Sequence, residues 1–396
     1  MIKLIKRERY IAPIRDFYES DLIKIITGVR RCGKSVILSQ IRDEIAEKTD
    51  NIIYLNFEDK FETGGIDSCQ KLLDYVYSKR KGSKLYLFFD EIQELDGWQT
   101  ACKTLRLHNA SVFITGSNSK LLSGEFTKEL SGRFVSFRIR PFVYRELSEY
   151  AVELGKEVPV SDYLVWGGFP GRLEQMTENA QRQYLTDLNA TIVINDLIQR
   201  YHIKKAELFT AIVNFILRSN ARIISSSSVH TYIKQNHSDC SINTVISYLG
   251  YLEEAYIIES IGQYSTKVKR ELAFFKKVYN CDVSLNSLRS PDNRFDLTHN
   301  LENIVYNELL YQSFTLSVFD NGGKEIDFLA TKGNKKYYIQ VAYSVADEKA
   351  YKREFGAFEG LSQLDRKIII TNDDVDFSTS NVEHISLKKF LTEDIK

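Results

Sequence analysis

Eight residues near the start of the chain have the spacing of a phosphate site. "GVRRCGKS" (28–35) fits the pattern G-x-x-x-x-G-K-[ST]. Gly28 and Gly33 permit a tight turn in which backbone N–H groups point at phosphate oxygens. A helix leaving the loop adds its positive N-terminal end. Lys34 brings a positive charge to the β and γ phosphates, and the Ser35 hydroxyl is suited to magnesium. Arg30 inside the loop and Val36 just after it complete the expected nucleotide contacts. Arg30 and its neighbour Arg31 serve equally well as contacts to an adjacent subunit or as structural residues.

The second motif is "LYLFFDEIQ" (85–93), an apolar strand ending in Asp90-Glu91. Asp90 is expected to hold magnesium through water. Glu91 is then placed to polarise a water for attack on the γ-phosphate. An acidic pair after a buried strand favours hydrolysis over simple nucleotide binding. "FITGSNS" (113–119) ends a further apolar strand, where Ser117 or Asn118 can bond the γ-phosphate or the attacking water. A plain strand-end turn is the alternative there. Arg133 in "LSGRF" is a candidate arginine finger, in this subunit or for a neighbour, or else a surface arginine.

A third stretch, "KEIDFLATKGNKKYYIQVAYSV" (324–345), reads as two strands joined by a polar turn. Two strands carrying an acid and then acid-x-lysine form the metal site of many nucleases. Asp327 holds the first position. Gln340 stands where the second acid belongs and Ala342 where the lysine belongs. Glu302 or Glu308 is available as a helix acid. Lys335 and Lys336 lie on the same strand but several residues away. Ala342 has neither charge nor proton-transfer ability, so a domain that does not cleave is expected. Upstream, "STKVKRELAFFKK" (265–277) carries Lys267, Lys269, Arg270, Lys276 and Lys277. Such a run contacts DNA phosphates in some proteins and is a solvated hairpin in others. The helix expected before it, "SINTVISYLGYLEEA" (241–255), has no arginine or lysine, which speaks against base readout.

The surrounding pattern positions these residues. The first part alternates apolar strands, at 21–27, 51–59, 84–89 and 111–116, with helices at 34–48, 69–80 and 98–108. A fifth strand is expected at 133–139 and a helix at 143–154. Alternation of this kind predicts an α/β fold with a parallel sheet and helices on both faces. Helices follow at 180–200, 206–219, 228–236 and 242–253, then a two-stranded hairpin, in the order of a winged helix. "SLNSLRSPDNRFD" (284–296) reads as a linker. The end of the chain offers the helix "LENIVYNELLYQ", strands near 314–319, 325–330 and 336–343, a helix at 347–360 and the strand 366–371. The domains are expected at 1–158, 159–290 and 291–396.

Bulk composition agrees with two or three globular domains. The chain has 396 residues, 43% of them hydrophobic and 27% charged, with a formal net charge of zero. Zero net charge excludes a wholly basic nucleic-acid coat but permits a local patch. The 23 Tyr and 23 Phe are too many to read each as a base-stacking residue. Five cysteines without a CxxC pair predict reduced thiols in a cytoplasm. The first residues have no apolar signal core, and no apolar run approaches the roughly 20 residues that span a bilayer.

"ITGVRRCGKS", "LFFDEIQ", "TGSNS", "SGRF" and "RPFVYREL", in this order, resemble the AAA-superfamily ATPases of archaeal-ATPase type. "WGGFP" (166–170) and the C-terminal part resemble the restriction-nuclease-like domain fused to many of them. The resemblance spans nearly the whole chain. It implies an ATP- and magnesium-binding core, a winged helix and a nuclease-like end, and it names no substrate; DNA is a candidate partner through the basic run of the winged-helix region, and no membrane is expected from the hydropathy. A homo-oligomer is a candidate assembly, with Arg133 a finger in this subunit or toward a neighbour's nucleotide. The roles fall on Gly28, Gly33, Lys34 and Ser35 for the loop, Asp90 for magnesium, Glu91 for the water, Ser117 or Asn118 as sensor, and Arg133 as finger.

Overall fold

The protein is described from a computed structural model, which covers residues 4–82, 84–117, 132–236, 240–264, 276–290, 292 and 294–395. It divides into two compact units. The first runs to Pro141 and takes in Glu254–Tyr256; the second holds Phe142–Glu253 and continues from Ile257.

The first unit is built on five parallel strands: β1 (Ile23–Thr27), β2 (Ile52–Asn56), β3 (Leu85–Asp90), β4 (Ala110–Gly116) and β5 (Phe134–Arg138). Their spatial order is β2-β3-β4-β1-β5. Every residue of β1, β3 and β4 is buried, as expected where helices cover a parallel sheet. Helices α1 (Glu8–Arg15), α2 (Lys34–Ala46), α3 (Cys69–Lys79) and α4 (Trp98–Leu107) flank it. On one face Ile23, Ile25, Leu55, Leu87 and Phe89 pack with Leu72 and Val76 of α3 and with Trp98, Cys102 and Leu105 of α4. Alternate strand residues point the other way. There Phe88 stacks on Phe113 at 4.8 Å.

Helix α1 has no counterpart in the sequence reading. Pro13 interrupts its second turn and only Ile11 and Ile14 are buried, so the helix offers a single apolar i, i+3 pair to read. Its anchor is polar. Glu44 of α2 accepts hydrogen bonds from Arg15 at 2.8 and 3.0 Å and from Tyr18 at 2.9 Å, and pairs with Lys6 at 2.8 Å. The Arg15 guanidinium, with help from Lys6 and Tyr18, holds the Glu44 carboxyl at about 2.

The second unit begins with α5 (Tyr144–Glu153), α6 (Val160–Trp166) and α7 (Glu178–Asn189), which continues through a π-helical turn at Ala190–Asn195. Next come α8 (Ala206–Arg218), β6 (Arg222–Ile224), α9 (Ser226–Asn236), α10 (Ile242–Glu254), β7 (Ile258–Gly262) and β8 (Lys276–Asn280). The expected hairpin β7–β8 is antiparallel, and β6 joins it as a third strand in the order β6-β8-β7. Three residues are too few to show a period. In the "WGGFP" stretch, Gly168 N donates to Asp282 Oδ2 at 2.6 Å and its carbonyl accepts from Phe142 N at 2.9 Å. A Cβ on Gly168 would overlap the Phe142 carbonyl oxygen, so close backbone approach explains that glycine.

The described part of 284–296 is packed rather than a free linker. Ser284, Leu285, Asn286 and Ser287 are buried in a helical turn. Arg289 bonds Asn214 Oδ1 at 2.8 Å and Asn189 Oδ1 at 3.0 Å, and burial lowers its guanidinium to about 10. Beyond it lie α11 (Leu297–Tyr311), β9 (Thr315–Asn321), β10 (Lys324–Lys332), β11 (Lys335–Val341), α12 (Glu348–Gly356), β12 (Arg366–Thr371), β13 (Glu383–Ser386) and α13 (Leu387–Thr392). The sheet order is β13-β12-β11-β10-β9. The pairs β9–β10 and β10–β11 are antiparallel, and β11–β12 and β12–β13 parallel. The last strand and helix carried no expectation, because only His384 and Ile385 of the four-residue β13 are buried.

Candidate functional site

The phosphate loop leaves the C-terminal end of β1 and enters α2. Gly28 has φ +147° and a Cβ there would collide with the Ile139 carbonyl oxygen. Gly33, at φ +97°, is the N-cap of α2. Arg31 also takes positive φ, at 67°, an uncommon state for a residue with a Cβ. The loop is braced from the N-terminal segment. Buried Arg7 donates to the carbonyl of Cys32 at 2.9 Å and to that of Arg140 at 3.0 Å. No motif marks Arg7, since its work is done through backbone oxygens.

Lys34 is buried, with Nζ 3.4 Å from the Val29 carbonyl and 3.6 Å from Glu91 Oε1. Ser35 is exposed and Val36 half-buried on the first turn of α2. Arg30 pairs with Glu58 at 2.8 Å. Asp90 ends β3. Its Oδ1 accepts from Thr115 Oγ1 and its Oδ2 from the Tyr54 hydroxyl at 3.3 Å. Glu91 follows in left-handed backbone, φ 48°, and its N–H donates to Thr115 Oγ1 at 2.9 Å. Thr115 therefore joins β3 to β4 at the acidic pair, a role no motif signals. Ser117 is buried just past β4; Asn118 lies outside the described residues.

Arg133 is not brought to this loop. Its carbonyl accepts from Ile23 N at 3.0 Å, at the start of β1. The loop leaves the far end of that strand, roughly 13 Å on at about 3.3 Å per residue. The β5 residue paired with the last residue of β1, Thr27, is Arg138.

The donor set is oxygen-only at Ser35 and Asp90, which suits a hard cation such as magnesium. The backbone cradle at Gly28–Gly33 has the shape a phosphate needs.

The second unit holds a second cluster. Lys277 of β8 places Nζ 2.6 Å from Glu302 Oε1, 2.8 Å from Asp327 Oδ1 and 2.9 Å from Glu325 Oε1. The Tyr279 hydroxyl donates to Glu302 Oε1 at 2.7 Å, and Val341 N donates to Asp327 Oδ2 at 2.9 Å. Gln340 accepts from Asp327 N at 3.2 Å and donates to Glu354 Oε2 at 2.8 Å. Of the two helix acids, Glu302 joins the cluster; Glu308 instead bonds Arg145 at 2.6 Å and Gln312 at 3.1 Å. Ala342 packs into an apolar cluster with Val345, Phe358 and Val382. Lys335 and Lys336 are exposed at the hairpin end of β11. The lysine beside these acids is Lys277, which comes from another sheet. Its sequence neighbours Lys267, Lys269 and Arg270 lie outside the described residues. Burial alone would lower the Lys277 ammonium, but Asp327, Glu302 and Glu325 outweigh it and hold it above its ordinary value. Burial, reinforced by the Asp327 charge, pushes Glu302 up to about 8 against the pull of Lys277 and Tyr279.

A phosphate loop after β1 of a β2-β3-β4-β1-β5 parallel sheet, with an acidic pair ending β3, defines the core of a P-loop ATPase. Residues 20–148 match the family model described as an AAA domain. Residues 159–291 and 298–390 match two domains of unknown function, DUF8612 and DUF4143. The chain is 32% identical over 355 residues to an uncharacterized protein of Haemophilus influenzae, covering 87% of this chain and 88% of that one. It is 30% identical over 375 residues to an uncharacterized protein of Methanocaldococcus jannaschii, covering 89% and 82%. In fold it is similar to a Walker-type ATPase of Pyrococcus abyssi, with a TM-score of 0.51 at 15% identity over 72% of this chain and 96% of that one. The chain belongs to the same family as the two uncharacterized proteins, and it carries an AAA-type ATPase domain at its N-terminal end. Among the described residues, no helix is long and apolar enough to cross a membrane.

The raised Glu302 has a sign that can be tested. A carboxyl that titrates near 8 when folded and near 4.5 when unfolded keeps its proton only in the folded state between those values. Its contribution is present below pH 4.5 and is lost as pH rises toward 8. Glu302→Gln keeps the neutral form at every pH. Wild type should therefore lose stability relative to Glu302→Gln from pH 5 to 8, by at least about 1 kcal/mol, the worth of some one pKa unit. Urea melts at several pH values read this; parallel curves would return Glu302 to an ordinary carboxylate.

Proposed function

We propose that the protein hydrolyses ATP with magnesium and couples its nucleotide state to its C-terminal parts. The observation that carries this is the convergence of Lys34, Asp90 and Glu91 beside a glycine cradle at one edge of the sheet. In this reading the loop N–H groups and Lys34 hold the β and γ phosphates, with Arg30, Val36 and Ser117 or Asn118 around them. Ser35 and Asp90 would hold magnesium, which supplies charge neutralisation on the phosphates. Thr115 keeps Asp90 aimed and fixes the backbone of Glu91. Glu91, held near Lys34, takes the proton of the attacking water.

ATP with magnesium should raise the melting temperature, since a ligand at 100 times its Kd adds about 2.7 kcal/mol. Lys34→Ala should abolish that shift. Glu91→Gln should keep it and lose roughly 10²–10⁴-fold in phosphate release, measured with and without DNA. Wild-type release by Glu91→Gln would remove Glu91 from the base role.

Arg133 we assign to a neighbouring copy's nucleotide, because it is exposed and stands at the far end of β1 from its own loop. Arg133→Ala alone and Lys34→Ala alone should both be slow. Mixing them should recover activity, as intact sites form from one copy's loop and another's arginine. No recovery at any mixing ratio would return Arg133 to a surface role.

For the second unit we propose a winged helix followed by a restriction-nuclease-like domain that does not cleave. The order helix–strand–helix–helix–strand–strand from α8 to β8 supports the first part. The α11, β9–β10–β11, α12, β12 order with Glu302 and Asp327 on α11 and β10 supports the second. Gln340 is neutral and Ala342 is apolar, so magnesium is weakly held. DNA contact by the winged helix is the partner reading that follows. Single- and double-stranded DNA should survive incubation with magnesium or manganese, with or without ATP. Cleavage by wild type that disappears in Asp327→Ala would overturn the non-cleaving reading.

A further inference from the structure

Around Lys277, carboxylates from separate segments converge on one point. Glu302 comes from α11, and Glu325 and Asp327 from one edge and one face of β10. Their oxygens stand 2.6, 2.9 and 2.8 Å from a single nitrogen. An ammonium has three N–H donors, and all three are used. The side chains of Lys277, Glu302 and Asp327 are 4, 9 and 9% exposed, while Glu325 is 41% exposed. A cavity of about 400 Å³ lies against them, lined also by Gln340, His299 and Glu354.

This is the environment of a hard cation: oxygen donors only, more than one formal negative charge, and an opening to water. Divalent cations sit about 2.0–2.6 Å from such oxygens. The ammonium sits a few tenths of an ångström farther from the same atoms. Among the described residues, no group of three His, Cys, Asp or Glu side chains is arranged by itself to hold a metal. The acids converge on the amine rather than on one another. The cation at the focus belongs to the chain, and it is delivered by β8, which is not a strand of the sheet that bears Asp327 and Glu325.

We propose that Lys277 is a tethered cation that closes this carboxylate cage, so that its ammonium and a divalent metal ion compete for one place. While Lys277 is in, the cage refuses magnesium and manganese. With the amine removed, buried negative charge is left without a partner, and a hard divalent cation is the ligand that meets it. The inference concerns the second unit and stands apart from the ATPase reading.

The test uses the full chain without nucleotide, in an Asp90→Asn background so that metal at the phosphate loop is not counted. Manganese binding is followed by the electron-spin signal of free Mn²⁺. Lys277→Ala should bind Mn²⁺ at least tenfold more tightly than the parent, and adding Asp327→Asn should remove the gain. A folded Lys277→Ala that binds no more tightly than the parent overturns the proposal. So does a parent that already binds as tightly as the variant. If Lys277→Ala shows no melting transition in EDTA, Mn²⁺ should restore one, and failure to restore it overturns the proposal equally.

Discussion

In a parallel sheet every strand leaves by the same edge, and the first unit is arranged around that constraint. β1 and β3 both end there with β4 between them. The loop after β1 and the acid pair ending β3 therefore face each other, and Lys34 Nζ comes to 3.6 Å from Glu91 Oε1. Thr115 near the end of β4 bonds both Asp90 and the Glu91 N–H. Among the described residues of the site, positive φ falls in the turns, at Gly28, Gly33, Arg31 and Glu91, and only the last two have a Cβ to strain. The same constraint separates Arg133 from the site, because it enters β5 at the opposite edge.

Burial of charge governs both units. Lys34 and Glu91 are a buried opposite pair, and Lys277 is buried against two acids, Glu302 and Asp327. Desolvating such groups is costly, and removing one partner leaves the other stranded. Beside the phosphate loop, Lys34 is matched by Glu91 at 3.6 Å and by the hydrogen-bonded Asp90. In the cage the acids outnumber the amine, and Glu302 rises to about 8, because burial and Asp327 together disfavour a further negative charge.

Legibility in the sequence followed contiguity. The five strands, the helices between them and the loop residues were readable because each sits in one run of residues with a clear period or a fixed spacing. Helix α1 was not, since Pro13 and its charged residues hide a two-residue apolar contact. Strand β6 is too short to show alternation. The packing of the described part of 284–296 was invisible because Asn286 and Arg289 are held by partners 14 to 100 residues away, Asn300, Asn214 and Asn189. Arg7 and Thr115 were missed for a related reason: each acts through backbone groups or through one partner, and neither leaves a pattern.

Lys277 is placed by a demand of charge rather than by a pattern of residues. Asp327 and Glu302 are each buried, and the apolar Ala342 just past β11 supplies no countercharge. Two retained acids with no cation between them would repel at short range in a poorly solvated place. A folded chain that keeps both acids must therefore bring a positive group from elsewhere, bind one, or protonate an acid. This chain does the first with Lys277, and the raised Glu302 shows the third beside it. Lys277 supplies the positive charge that Ala342 does not. The acids themselves were legible in the sequence, while the strand that brings them a cation could be found only in three dimensions.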